Sequence, residues 1–153
     1  MTPRALYFDD LQLGDKFVSE RQRVTAEDIK RFAAEFDPQP FHLDEATARD
    51  TIFAGLAASG WHTAAVTMRL LVTSGLPLAN GIIGVGGSLE WKAPTRPGDE
   101  LHVESEVVEL TPSHSKPDRG MAVIRATTLN DRGQAVQGLM AKLLVLRRPR
   151  PDA

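Results

Sequence analysis

The chain has 153 residues, with 18 basic and 20 acidic side chains for a formal net charge of -2, and no cysteine. That length fits a single domain, residues 1–153, that buries roughly two-thirds of its unfolded surface. The charge makes no electrostatic case for nucleic acid, and the absence of cysteine excludes disulfides, thiolate catalysis and zinc–thiolate sites.

The N-terminus, Met1-Thr2-Pro3-Arg4, lacks the apolar run of a signal peptide, so a cytoplasmic location is expected. Residues 7–14 read as a loop with a Gly-Asp turn, and Lys16 to Val24 as one strand. Thr25 is a candidate N-cap with Glu27 and Asp28 in the first turn, and Ile29, Phe32, Ala33 and Phe36 follow at helical spacing. Pro38 disfavours helical geometry in the residue before it, so that helix ends near Asp37. Asp44 is positioned to cap a second short helix through Arg49. Leu56 to Ser74 is apolar nearly all round, which predicts a long helix enclosed by protein. His62 and Arg69 interrupt it, so it reads as a core helix and not a membrane span. Its opening residues, Ala57, Ala58, Ser59 and Gly60, are small enough for a ligand or another backbone to approach.

From Ile82 the pattern becomes strands: 82–91, 100–110 with clean alternation, 121–129 and 134–146, joined by turns at 94–99 and 130–133. Residues 147–153, beginning Arg147-Arg148-Pro149-Arg150, read as a flexible tail. Sequential strands with tight connections and grouped helices predict an α+β domain: an antiparallel five- to six-stranded sheet wrapped around the long central helix. One small sheet cannot cover that helix, so a homodimer or dimer of dimers is expected. Arg69 would then join an ion pair across the dimer.

Between the first two helices, Asp37-Pro38-Gln39-Pro40-Phe41-His42 sets a carboxylate and an imidazole five residues apart. The two prolines stiffen the segment toward extended geometry. A held Asp/His pair beside apolar residues suits acid/base chemistry. Asp-Pro is also ordinary turn punctuation, and residue chemistry alone favours the turn. Other patterns are weaker. Ser59 lacks the upstream glycine of a nucleophile elbow. Gly84-Val85-Gly86-Gly87 lacks the last glycine and following helix of a dinucleotide fingerprint. No ligand spacing joins His42, Asp44 and His62 into a metal site. His62 reads first as helix packing and second as site lining; His102 and His114 read as surface residues.

The Asp37–His42 stretch, with Ala48 five residues beyond Leu43, resembles the signature of the MaoC-like, or (R)-specific enoyl-CoA hydratase, family. The similarity extends to Tyr7-Phe8-Asp9-Asp10-Leu11 with Gly14-Asp15, to Ala58-Ser59-Gly60-Trp61-His62-Thr63 and to Pro94–Asp99. Gln39 replaces the usual Asn, and Phe36 replaces the Gly that commonly precedes the Asp; these departures bear on substrate preference. The resemblance implies a hot-dog fold and reversible addition of water to a trans-2-enoyl-CoA, giving a (R)-3-hydroxyacyl-CoA in fatty acid metabolism. Asp37 and His42 would activate one water, and the Gly60 N–H would polarise the thioester carbonyl. Gln39, Phe41, Ser59, Trp61 and His62 would contact substrate, with Lys92 and Arg96 near the CoA phosphates. No metal or other cofactor is implied, coenzyme A being part of the substrate. A hot-dog thioesterase is the alternative, but it needs a carboxylate on the long helix, which has none. A non-catalytic acyl-CoA-binding protein is the third reading.

Overall fold

In the computed structural model, which describes residues 4–151, six antiparallel strands form one sheet against a central helix. The elements are β1 (Lys16–Val18), β2 (Gln22–Arg23), α1 (Ala26–Phe36), α2 (Pro40–Leu43), α3 (Glu45–Arg49), α4 (Gly60–Leu70), β3 (Ile83–Trp91), β4 (Glu100–Pro112), β5 (Arg119–Leu129) and β6 (Ala135–Leu146). The sheet order is β1-β4-β5-β6-β3, with β2 also paired to β4. This is the architecture expected of a hot-dog domain.

Alternation in β4 and β5 builds the inner face. Leu101, Val103 and Val107 are buried on β4, and Ala122, Ile124 and Ala126 on β5. Val66 and Leu70 of α4 join the same core, and burying each such aliphatic side chain contributes about 1.5–3 kcal/mol. At α1, the Thr25 hydroxyl accepts the Asp28 N–H while the Asp28 carboxylate accepts the Thr25 N–H, a reciprocal capping box. Ile29 and Ala33 of that helix are fully buried.

Several expectations need correction. The 16–24 strand is two short strands, with Ser19 between them: its N–H donates to the Val103 carbonyl and its hydroxyl accepts the Val103 N–H. The segment after Asp37 is not extended throughout. Pro40 opens a single helical turn, where its missing N–H costs nothing. The central helix starts at Gly60, not Leu56, because the preceding backbone finds partners elsewhere. Ala57 N–H donates to the Phe41 carbonyl and Ala58 N–H to the Thr95 carbonyl. After Leu70 the helix widens into one π turn, Leu71–Gly75, closed by Leu76 N–H on the Leu71 carbonyl. Its outer face is left open by the single sheet, in line with a sheet too small to cover it: Trp61, Met68 and Val72 are exposed. Arg69 is exposed as well and has no carboxylate partner among the described residues. His102 is half-buried, 3.6 Å from Glu104. The supposed tail begins docked: Arg147 pairs with Asp9 and lies over the Phe8 ring, and Arg148 pairs with Asp10 over Tyr7. Residues 1–3 and 152–153 lie outside the described residues.

Gly87 of β3 has a φ of 152°, and a Cβ there would overlap the Met140 carbonyl oxygen of β6. Gly87→Ala should therefore destabilise the fold by about 2 kcal/mol, read as a lower urea midpoint at unchanged slope.

Candidate active site

Asp37 is the C-cap of α1, its N–H donating to the Ala33 carbonyl. Three residues on, the Pro40 turn swings His42 back, and its side chain is 6 % exposed. His42 Nδ1 lies 2.6 Å from the Ala57 carbonyl oxygen. A carbonyl only accepts, so Nδ1 carries the proton and Nε2 is left to face the carboxylate. Nε2 sits 3.3 Å from Asp37 Oδ2. The extended segment before α4 thus fixes the tautomer of His42.

Ser59, fully buried, connects the pair to the helix. Its hydroxyl donates to Asp37 Oδ2 at 2.6 Å and accepts the Trp61 N–H at 3.2 Å, capping α4. The Gln39 side-chain amide donates to the other oxygen, Oδ1, at 2.5 Å. Burial alone would raise the Asp37 pKa. The hydrogen bonds from Ser59 and Gln39, together with the nearby imidazole when it is charged, outweigh burial and hold it below the ordinary carboxylate value. Both oxygens are anchored, and the group is ionised across the neutral range.

These residues open onto a cleft of about 530 Å³. Asp37, Gln39, Phe41, His42, Gly60, Trp61 and Lys92 all line it, as the sequence reading had them in one site. Phe53 adds to this wall, its ring 4.8 Å from Phe41, which packs edge-on against His42. Gly60 is the first residue of α4, where a helix N–H has no partner within the helix and the dipole is positive. A glycine is required there: a Cβ would lie 2.6 Å from Trp91 Cδ2.

Three residues assigned to substrate stand elsewhere. Ser59 is beneath the cleft, holding Asp37. Arg96 turns away from it: its guanidinium donates to the carbonyls of Phe53, Gly55 and Leu56, clamping the loop that leads into α4. His62 faces the opposite side of α4, stacked on Phe32 at 4.8 Å and lining a separate cavity of about 220 Å³. Burial, reinforced by Arg31 and opposed by Asp28, lowers its pKa. Sequence reasoning missed Phe53, Thr95 and Trp91. Only Trp91 had a signal available, as an aromatic ending a strand just before the Pro94 turn.

Residues 10–128 match the MaoC like domain family. A crystal structure of a MaoC-like dehydratase from Rhodospirillum rubrum is similar at a TM-score of 0.94 and 63% identity, over 95% of this chain and 100% of that one. The 3-hydroxybutyryl-CoA dehydratase of Methylorubrum extorquens is 34% identical over 114 residues, 74% of this chain and 71% of the relative. The (R)-specific enoyl-CoA hydratase of Rhodospirillum rubrum is 35% identical over 107 residues, 69% and 72% of the two chains.

The Asp37 carboxyl, followed by carbon NMR, should titrate below the model-peptide value of about 3.9. Removing a donor to the charged form raises a pKa, so Ser59→Ala should move the midpoint upward. By linkage, the stability contributed by Asp37 is complete above the unfolded value. It is lost as pH falls through the lower folded value, so Ser59→Ala should weaken the fold most near neutral pH and least in strong acid.

Proposed function

This chain belongs to the MaoC-like domain family, and from that premise we propose that it catalyses reversible hydration of a trans-2-enoyl-CoA to a (R)-3-hydroxyacyl-CoA. The names of the two relatives, a hydratase and a dehydratase, describe the two directions of that one reaction. The observation that carries the reading is Asp37 Oδ2 and His42 Nε2, 3.3 Å apart and lining one cleft with the Gly60 N–H.

In the forward direction a water bridges Oδ2 and Nε2, which accept its two protons in hydrogen bonds. Its oxygen adds to Cβ while one proton passes to the pair, and the C=C electrons move toward the thioester carbonyl. The developing oxyanion accepts the Gly60 N–H at the positive end of α4; one such donor contributes on the order of 3 kcal/mol in the transition state. The pair then returns the proton to Cα, so the water is added across the double bond with no net change at the protein. Dehydration follows the same steps in reverse. Asp37, held ionised by Ser59 and Gln39, remains an acceptor throughout, and His42 Nε2 is the proton carrier.

Replacing either partner should cost what positioned acid/base catalysis supplies, roughly 10²–10⁴-fold. Asp37→Asn and His42→Ala should each lower kcat for crotonyl-CoA hydration by that amount with unchanged circular dichroism. Near-normal turnover in either variant would remove the pair from the mechanism.

We also propose that two copies associate along β3. Among the described residues that strand ends the sheet and pairs only with β6, and Ile83 and Val85 on it are exposed, as are Met68 of α4 and Val72 of the π turn that follows. An unpaired apolar edge of this length needs cover. Sedimentation velocity should give a dimer or a multiple of it, and Val85→Lys should shift the protein toward the monomer.

A further inference from the structure

Trp91, the last residue of β3, is held more firmly than a half-exposed indole needs to be. One face of the ring lies on Gly60, close enough that a Cβ there would fall 2.6 Å from Cδ2 and 2.8 Å from Cζ2. The Trp61 ring meets it edge-on, with centroids 5.1 Å apart and planes at 84°. Its Nε1–H donates to Gln137 Oε1 at 3.1 Å, and Gln137, opposite it on β6, is fully buried. Gln137 in turn donates from Nε2 to Thr67 Oγ1 of α4 at 2.9 Å, and Thr67 Oγ1 lies 2.6 Å from Thr128 Oγ1 of β5. The indole is therefore latched through a buried chain of hydrogen bonds that crosses from sheet to helix and back.

That chain occupies space between α4 and the sheet that aliphatic side chains would otherwise fill. Opening it to admit an apolar group would leave buried donors and acceptors without partners. A thioester whose carbonyl oxygen accepts the Gly60 N–H sits in a cleft lined by Trp91 together with Asp37 and His42, its acyl carbons next to the ring that packs on Gly60. Carbons beyond Cβ then meet either the latched indole or the polar chain behind it.

Building on the hydratase reading, we infer that Trp91, pinned by Gln137, is the specificity-determining wall of the cleft and restricts this protein to short-chain acyl thioesters of about four carbons. Steric exclusion by a fixed wall is worth 10–200-fold for a methylene in a fitted pocket. The relative preference between chain lengths is therefore the property the wall controls.

The test measures binding and turnover on the same intact protein. Calorimetry with butyryl-CoA and octanoyl-CoA reads the wall whether or not water is added, and hydration of crotonyl-CoA and trans-2-octenoyl-CoA reads it in catalysis. The wild-type protein should favour the four-carbon ligand at least tenfold in both. Trp91→Ala should shift the ratio at least tenfold toward eight carbons, and Trp91→Phe, which keeps a ring but loses the latch, should shift it part of the way. The second variant supplies the answer should the first fail to fold. Equal wild-type affinity for the two ligands, or a ratio unmoved by both variants, would overturn the wall. A normal binding ratio without hydration would overturn the hydratase reading and leave the wall standing; no binding of either thioester would overturn both.

Discussion

The Ser59 hydroxyl is the interaction on which the site depends. It accepts the Trp61 N–H to start α4 and donates to Asp37 Oδ2. One oxygen thus ties the origin of the helix to the carboxylate at the end of α1, 22 residues earlier in the chain. A hydroxyl has one proton and two lone pairs, so it can cap a helix and neutralise part of a carboxylate's demand at once. An alanine could do neither, and a threonine would need room that a fully buried site does not offer. The arrangement also sets distance: with Asp37 held at the helix start, the Gly60 N–H and the acid/base pair share one cleft.

Around that link the chain places its polar backbone with care. The four residues before Gly60 lie outside any helix or strand, and backbone groups of Leu56, Ala57 and Ala58 pair with Arg96, Phe41, His42 and Thr95. Ala57 is the junction: its N–H donates to the Phe41 carbonyl of α2 and its carbonyl accepts the proton on His42 Nδ1. Arg96 holds the approach to α4 from below. A half-buried cation that donates to three carbonyls is committed to structure, which is why it is not available to a phosphate. Lys92 lines the cleft exposed, 3.6 Å from Glu90.

Features governed by local rules were legible in the sequence. The Thr25 N-cap, the Pro38 stop and the alternation of β4 each follow from neighbours within a few residues, and the order of strands and helices followed from them. The Asp37–His42 spacing and the small residues near Gly60 pointed to residues that the fold brings to one cleft. Where the reading went astray, long-range partners decided. Leu56 to Ser59 have helix-compatible side chains, but Thr95 and Phe41 claim their backbone. Gln39 sits where a shorter amide is usual, and the extra methylene lets its amide reach back to Asp37 Oδ1, an outcome that depends on three-dimensional reach. Trp91 is 31 residues from Gly60 in sequence, and nothing local announces that its ring covers that glycine.

The most direct test of the account is to incubate the protein with crotonyl-CoA in ¹⁸O-labelled water and analyse the products by mass spectrometry. Addition across the double bond by the Asp37–His42 pair and Gly60, as proposed, predicts an intact CoA thioester carrying one ¹⁸O at C3. Free coenzyme A with the label in a carboxylate would contradict it, because the water would then have attacked the carbonyl that Gly60 is argued only to polarise.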